Sequence, residues 1–241
     1  MSYRLLLIGD VVGSPGRDAL AAALPQLVKS ESIDFCMVNV ENSAAGYGMT
    51  GSIYHELMEL PVDVMSSGNH IYAKKDFVKE MDLYANLVRP LNYAEGSPGQ
   101  GACQVTANGK EVLVINLIGR VFMALSDCPF KTVDAYLESF DSQPDLIIVD
   151  FHAEASSEKQ AMGFYLDGRV TAVVGTHTHV QTADNRILPK GSAYMTDLGM
   201  TGARDSVIGM KREASLARLL SQAPTRLEPE TNSNFMINGL I

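Results

Sequence analysis

Residues 170–180 read VTAVVGTHTHV. The run 170–174 is apolar and β-branched, Gly175 closes it, and two imidazoles come next at His177 and His179. A short continuous apolar run ended by glycine has the form of a strand buried on both faces, as in a parallel sheet covered by helices. In extended backbone, residues two apart share a side, so both rings can face one ligand. Taken alone, the pair also reads as solvated loop residues or hydrogen-bonded core histidines.

Working outward, runs of the same kind predict strands at 4–8, 35–40, 62–66, 87–90, 112–117, 146–151, 171–174 and 193–196, with a last one at 235–238. Amphipathic stretches between them predict helices at 16–29, 53–60, 75–84, 133–140, 157–166 and 212–221. Pro15 suits a first helical turn, and SSEK at 156–159 suits a helix opened by Ser caps and an early Glu. The alternation is that of an α/β fold. The stretch 94–110 (AEGSPGQGACQVTANGK) is rich in turn residues, with Asn108–Gly109 as a hairpin turn, and is too short for an independent linker. One domain over residues 1–241, with two sheets packed together, is expected.

The residues just past each strand carry the chemistry. The run 4–8 ends in Gly9-Asp10, 35–40 in Glu41-Asn42, 62–66 in Ser67-Gly68-Asn69-His70, 146–151 in His152, and 171–174 in the GTHTH segment. Carboxyl ends of parallel strands converge on one crevice, so residues far apart in sequence become neighbours. Of five histidines, His70, His152, His177 and His179 sit at these ends, and only His55 falls in a surface helix. Each residue has a plainer reading: Asp10 as a turn or cap, Asn69 as a turn residue, His152 as a core imidazole. Glu41 is harder to dismiss, because an unpaired carboxylate after a buried run is costly and a metal or Arg would satisfy it. Asn39 reads as structural, Asp150 and Glu154 as supports for neighbouring rings, and Gly9, Gly68 and Gly175 as points of close backbone approach.

Asp10, Glu41, Asn42, Asn69, His152, His177 and His179 exceed one tetrahedral site. Oxygen and nitrogen donors without thiolate suit two divalent transition ions, Mn, Fe or Zn, bridged by a carboxylate. Two such ions clamp both oxygens of an in-line displacement at phosphorus, the constellation of a phosphoester hydrolase.

Composition narrows the partners. The chain has 241 residues, 46% hydrophobic, with a net charge of −9 that argues against duplex nucleic acid bound along a basic groove. No apolar run approaches the ~20 residues of a membrane span, and a cytoplasmic location is expected. Cys36, Cys103 and Cys128 lack metal-ligand spacing; Cys36 reads as core and none as a disulfide. Met49, Met123, Met200 and Met210 read as core, and a homo-oligomer is compatible with the sequence.

These residues resemble the calcineurin-like metallophosphoesterases, whose motifs run D-x-H, a GD pair, GNH, a lone His and GHxH. Here GNH stands at 68–70, the lone His is His152, and GTHTH at 175–179 is the last motif. Val12 stands where the first motif has His, and Glu41-Asn42 where the family has the bridging Asp. Those departures are similar to a YmdB-like bacterial branch of 2′,3′-cyclic-nucleotide phosphodiesterases, through GDVVGSPGR (9–17), VNVENSAAGYGMT (38–50), INLIGRVFM (115–123), DCPF (127–130), VDFHAEASSEK (149–159), VVGTHTHVQTAD (173–184) and TDLGMTGARDSVIGM (196–210). VENS stands where that group commonly has GENA.

The resemblance implies a four-layer α/β/β/α sandwich of two packed mixed sheets flanked by helices. It implies Asp10, Glu41, Asn42 and His179 on one metal, with Glu41 bridging to a second held by Asn69, His152 and His177. Val12 leaves the first ion short of an imidazole unless Asn42 compensates. A metal-bridging hydroxide would attack phosphorus, with His70, free of metal, protonating the leaving ribose oxygen or stabilising its charge. Small phosphodiesters or nucleotides, 2′,3′-cyclic nucleotides above all, are the expected substrates. The alternatives are a broader phosphomonoesterase or RNA phosphodiesterase, a regulatory nucleotide- or partner-binding protein with slow turnover, and a structural metal protein.

Overall fold

The computed structural model describes residues 2–232 and 234–241. In chain order its elements are β1 (Leu5–Ile8), β2 (Asp10–Val11), α1 (Gly13–Ser30), β3 (Phe35–Asn39), α2 (Gly51–Met58), β4 (Val64–Ser66), α3 (Lys75–Val78), β5 (Ala102–Ala107), β6 (Lys110–Ile118) and α4 (Pro129–Glu138). The second half contains β7 (Leu146–His152), α5 (Ser156–Leu166), β8 (Ala172–Thr176), β9 (Arg186–Ile187), β10 (Ala193–Met195), β11 (Met200–Ala203), α6 (Arg212–Ser221), β12 (Phe235–Met236) and β13 (Gly239–Leu240). One sheet has the order β13-β1-β3-β4, a second β5-β6-β7-β8-β10-β9, and a small third β12-β11-β2. In both large sheets the central strands run parallel, and antiparallel pairs occur at the edges.

The period of two along each strand builds four layers. Leu7, Phe35, Met37 and Val64 of the first sheet meet Val112, Val114, Ile148 and Val174 of the second in a core between the sheets. Their neighbours point the other way: Leu6, Ile8, Cys36 and Val38 pack under Leu20 and Leu24 of α1 and Tyr54 and Leu57 of α2. Leu113, Ile115, Val149 and Phe151 pack under Val133 and Leu137 of α4 and Met162 and Leu166 of α5. The result is the expected α/β/β/α sandwich, with Cys36 in the core beneath α1. Met49, Met200 and Met210 are buried as expected, Met123 only partly.

Several elements differ from the sequence reading. Residues 87–90 form no strand: single bridges join Leu87 to Met65 and Val88 to Gln100, and Pro90, lacking an N–H, cannot continue a ladder. The stretch 75–84 divides into α3 and a 3-10 turn at Met81–Leu83, which lets Phe77 stack on Tyr84 at 5.2 Å. No serine caps α5; Ala155 is its N-cap, and Glu158 instead accepts the backbone N–H groups of Arg120 and Val121. The helix expected at 133–140 begins earlier, at Pro129, a residue at home in a first turn. Strands β5, β9, β11 and β13 lack the apolar runs that mark the others, being short, at an edge or Gly-containing. Among the described residues no helix is long and apolar enough to cross a membrane.

Between β1 and β2 the chain leaves one sheet for another at Gly9, whose N–H donates to Asn238 O at 3.1 Å. A Cβ there would lie on the Gly199 carbonyl oxygen. Gly9→Ala is therefore expected to cost about 2–3 kcal/mol in urea unfolding; an unchanged midpoint would show that this crossing is loose.

Candidate metal centre

Each sequence-predicted residue stands where a parallel strand ends. Asp10 opens β2, Glu41 and Asn42 come after β3, Asn69 and His70 after β4, His152 ends β7, and His177 and His179 come after β8. The two large sheets deliver these ends to one place. His152 is fully buried, and a Cβ at Gly68 would fall within its ring, so only glycine lets the β4 turn approach.

His152 Nε2 lies 2.8 Å from Asn69 Oδ1, 3.0 Å from His177 Nδ1 and 3.2 Å from Glu41 Oε1. Glu41 Oε1 lies 3.2 Å from the Asn42 amide, which is 3.1 Å from His179 Nε2. Asp10 accepts His177 N–H on Oδ2 at 3.1 Å, while Oδ1, 3.9 Å from His179 Nε2, is buried without a hydrogen-bond partner among the described residues. All seven predicted donors thus form one contiguous cluster, and Glu41, His152 and His177 present ligand atoms within 4.8 Å of one another.

The outer nitrogen of each imidazole is anchored. Thr176 Oγ1 donates to Asp150 Oδ1 at 2.7 Å and is thereby left to accept from His152 Nδ1 at 2.9 Å. His177 Nε2 meets Glu154 Oε2 at 3.0 Å, and His179 Nδ1 meets Ile208 O at 2.9 Å. Three inward nitrogens consequently face two buried carboxylates and two amides, the arrangement that fixes tautomers in metal sites. Edges of about 3 Å between donor atoms are those of a polyhedron with bonds of about 2.1 Å. Together with the orphaned Asp10 oxygen, the donor set fits divalent transition ions. Asp150 and Glu154 support the rings as expected, Asp150 through Thr176. Asn39 is structural, donating to Ser67 O at 3.0 Å and accepting the Glu41 N–H at 3.2 Å. Val12 sits in a small apolar cluster with Met200 and Met210.

Electrostatics without a cation are informative. Burial opposes charge on Glu41, yet the His152 ring and the His70 N–H hold its carboxyl down at about 2. Burial likewise opposes charge on His152, but Glu41 foremost, then Asp10, push it up to about 9. Burial and the His152 charge push His177 down to about 3, and burial pushes Asp10 up to about 6. Glu41, Asn69 and His177 thus surround a ring whose pKa lies above its ordinary value, so the centre of the cluster favours positive charge.

Sequence reasoning missed one buried pair. Lys159 Nζ donates to Asp197 Oδ2 at 2.6 Å, and the same carboxylate accepts the Thr178 N–H at 3.1 Å and hydroxyl at 2.8 Å. It thereby clamps a turn in which His177 and His179 have φ of 105° and 65°, a region costly for non-glycine residues. Asp197 comes after the expected strand 193–196 just as Asp10 comes after 4–8, so the strand-end rule could have found it. Lys159, in an amphipathic helix, gave no such signal.

His70, Tyr47, Glu154, Ile208, Met210 and Leu227 line a cavity of about 310 Å³ over the cluster. The sandwich and this oxygen- and nitrogen-rich strand-end site define a protein of the metallophosphoesterase class. Residues 6–241 match the family model described as YmdB-like protein, and the chain belongs to that family. It is 51% identical over 223 residues to the 2′,3′-cyclic-nucleotide 2′-phosphodiesterase of Bacillus subtilis strain 168, spanning 92% of this chain and 84% of the relative. A hypothetical protein from Thermus thermophilus superposes with a TM-score of 0.90 at 38% identity, over 98% of each chain. A phosphatase from Mycoplasma pneumoniae does so with a TM-score of 0.91 at 36% identity, over 99% of this chain and 86% of the other.

If these donors hold an ion, the raised His152 pKa couples its loading to proton release. Loading Mn(II) onto chelator-stripped protein at pH 7.5 should release the His152 proton, so apparent affinity rises about tenfold per pH unit and flattens near the pKa of about 9. Calorimetry in buffers of different ionisation enthalpy reads the proton count, and no release would show that His152 holds no proton for an ion to displace. Lys159→Ala strands the buried Asp197 carboxylate and should cost about 3–5 kcal/mol in denaturant unfolding; a cost below about 1 kcal/mol, the worth of an exposed pair, would mean the turn is held otherwise.

Proposed function

We propose that this protein hydrolyses small phosphodiesters, 2′,3′-cyclic nucleotides first among them, using two divalent transition ions (Mn, Fe or Zn) held by the seven donors. Asp10, Glu41, Asn42 and His179 would hold one ion, Asn69, His152 and His177 the other, with Glu41 shared. The observation that carries this reading is the set of three inward imidazole nitrogens around two fully buried carboxylates. The 51% identity to a 2′,3′-cyclic-nucleotide 2′-phosphodiesterase supports the choice of substrate. The chemistry supplied by ions of this class is activation of water and neutralisation of charge on phosphate oxygens.

The chain's own residues do the rest. Asn69 turns its Oδ1 toward His152, so its Nδ2 donates to His70 Nε2 at 3.2 Å and leaves the proton of that ring on Nδ1. Burial holds the His70 pKa below its ordinary value. At neutral pH His70 is therefore a neutral N–H donor, suited to stabilising charge on the departing ribose oxygen rather than to transferring a full proton early. Tyr47 packs against the ring at 4.8 Å and fixes its tilt. In the net reaction water adds across one P–O bond of the cyclic diester: its oxygen joins phosphorus, and the ribose oxygen gains the proton.

The test is release of nucleoside monophosphate from 2′,3′-cyclic AMP by Mn(II)-loaded protein. Glu41→Gln should abolish turnover, and His70→Ala should lower kcat about 100-fold or more with little change in metal content. Nucleotide binding without turnover by fully loaded wild-type protein would instead mark a regulatory binder.

A further inference from the structure

The cavity over the donor cluster has an unusual charge balance for a phosphate site. Among the described residues no Lys or Arg lines it. Lys159 lies near His177, but it is fully buried and its charge is neutralised by Asp197 at 2.6 Å. The charged wall residue outside the donor cluster is Glu154, whose side chain is 49% exposed and whose Oε2 meets the outer nitrogen of His177. One carboxylate oxygen thus anchors the ring while the group's negative charge stands at the cavity mouth. Arg forks are a common device for holding phosphate oxygens; this wall has none among the described residues, which leaves positive charge to the donor cluster and its ions.

Resting on the proposed diester hydrolysis, we infer that Glu154 is a specificity-determining residue that disfavours dianionic phosphomonoesters relative to monoanionic phosphodiesters. A cyclic diester carries one negative charge, whereas a phosphomonoester, with a second pKa of about 6, carries nearly two at neutral pH. The same carboxylate therefore repels the dianionic product more strongly than the monoanionic substrate, which favours product release. Glu154 also separates this site from that of a broad phosphomonoesterase, in which its charge would be an obstacle.

The experiment measures binding of adenosine 3′-monophosphate and of a slowly hydrolysed, monoanionic 2′,3′-cyclic phosphorothioate analogue of cyclic AMP to Mn(II)-loaded wild-type, Glu154→Gln and Glu154→Ala proteins by calorimetry at low and high salt. Metal stoichiometry is measured alongside. Glutamine keeps an acceptor for His177 and removes only the charge. The expected result is a shift of about tenfold in the monoester-to-diester affinity ratio, in favour of the monoester, in both variants, shrinking as salt screens the charge. A ratio unchanged in Glu154→Gln overturns the inference, as does a shift confined to Glu154→Ala and accompanied by metal loss, which would make Glu154 only an anchor for His177. Because binding is read directly, these outcomes stand apart from turnover: absent hydrolysis of cyclic AMP by wild-type protein defeats the proposed activity, while an unchanged ratio defeats the role of Glu154.

Discussion

Glu41 is a carboxylate with no exposed surface, and the equally buried ring of His152, 3.2 Å away, makes that burial tolerable. An unpaired charge in such a position would cost several kcal/mol. The fold answers by bringing the end of a strand in one sheet against the end of a strand in the other, so carboxylate and imidazole meet across the sandwich. Asp10, with one oxygen unpartnered, is the part of this arrangement that protein groups leave unsatisfied.

Around that pair the structure controls direction as well as distance. A metal-binding imidazole must turn one nitrogen inward, and its tautomer is set by what the other nitrogen touches. Three different devices do this here: a threonine hydroxyl backed by buried Asp150, the carboxylate of Glu154, and the carbonyl of Ile208. Ile208 itself has φ of 47°, and the two HxH residues are also at positive φ. Three of the eight non-glycine residues with positive φ among the described residues thus lie where ring orientation matters, and Asp197 with Lys159 holds the HxH turn in place from behind.

The acidity of the chain and the chemistry of its site are compatible because charge is handled locally. A net charge of −9 argues against a polyanion groove, yet the buried carboxylates of the cluster favour positive charge at its centre and push the His152 pKa above its ordinary value. Glu154 adds a negative charge at the cavity mouth, giving the site a preference among anions rather than a general attraction for them.

Much of this is legible in the sequence. Apolar runs announce the two-faced strands, because side chains alternate along extended backbone, and polar residues at the ends of those runs announce the cluster. The glycines at 9 and 68 signal close approach. Other features require the tertiary structure. The run 87–90 looks like a strand but makes only single bridges, and 75–84 has helical periodicity that packing of Phe77 on Tyr84 divides. Lys159 looks like a surface helix residue, yet its partner Asp197 is 38 positions away. Which nitrogen of each histidine faces inward is likewise invisible, since it depends on Thr176, Glu154 and Ile208. Local patterning is fixed by covalent periodicity and polarity, which one chain carries in order; partner choice is fixed by contacts between distant segments, which exist only once the sheets have packed.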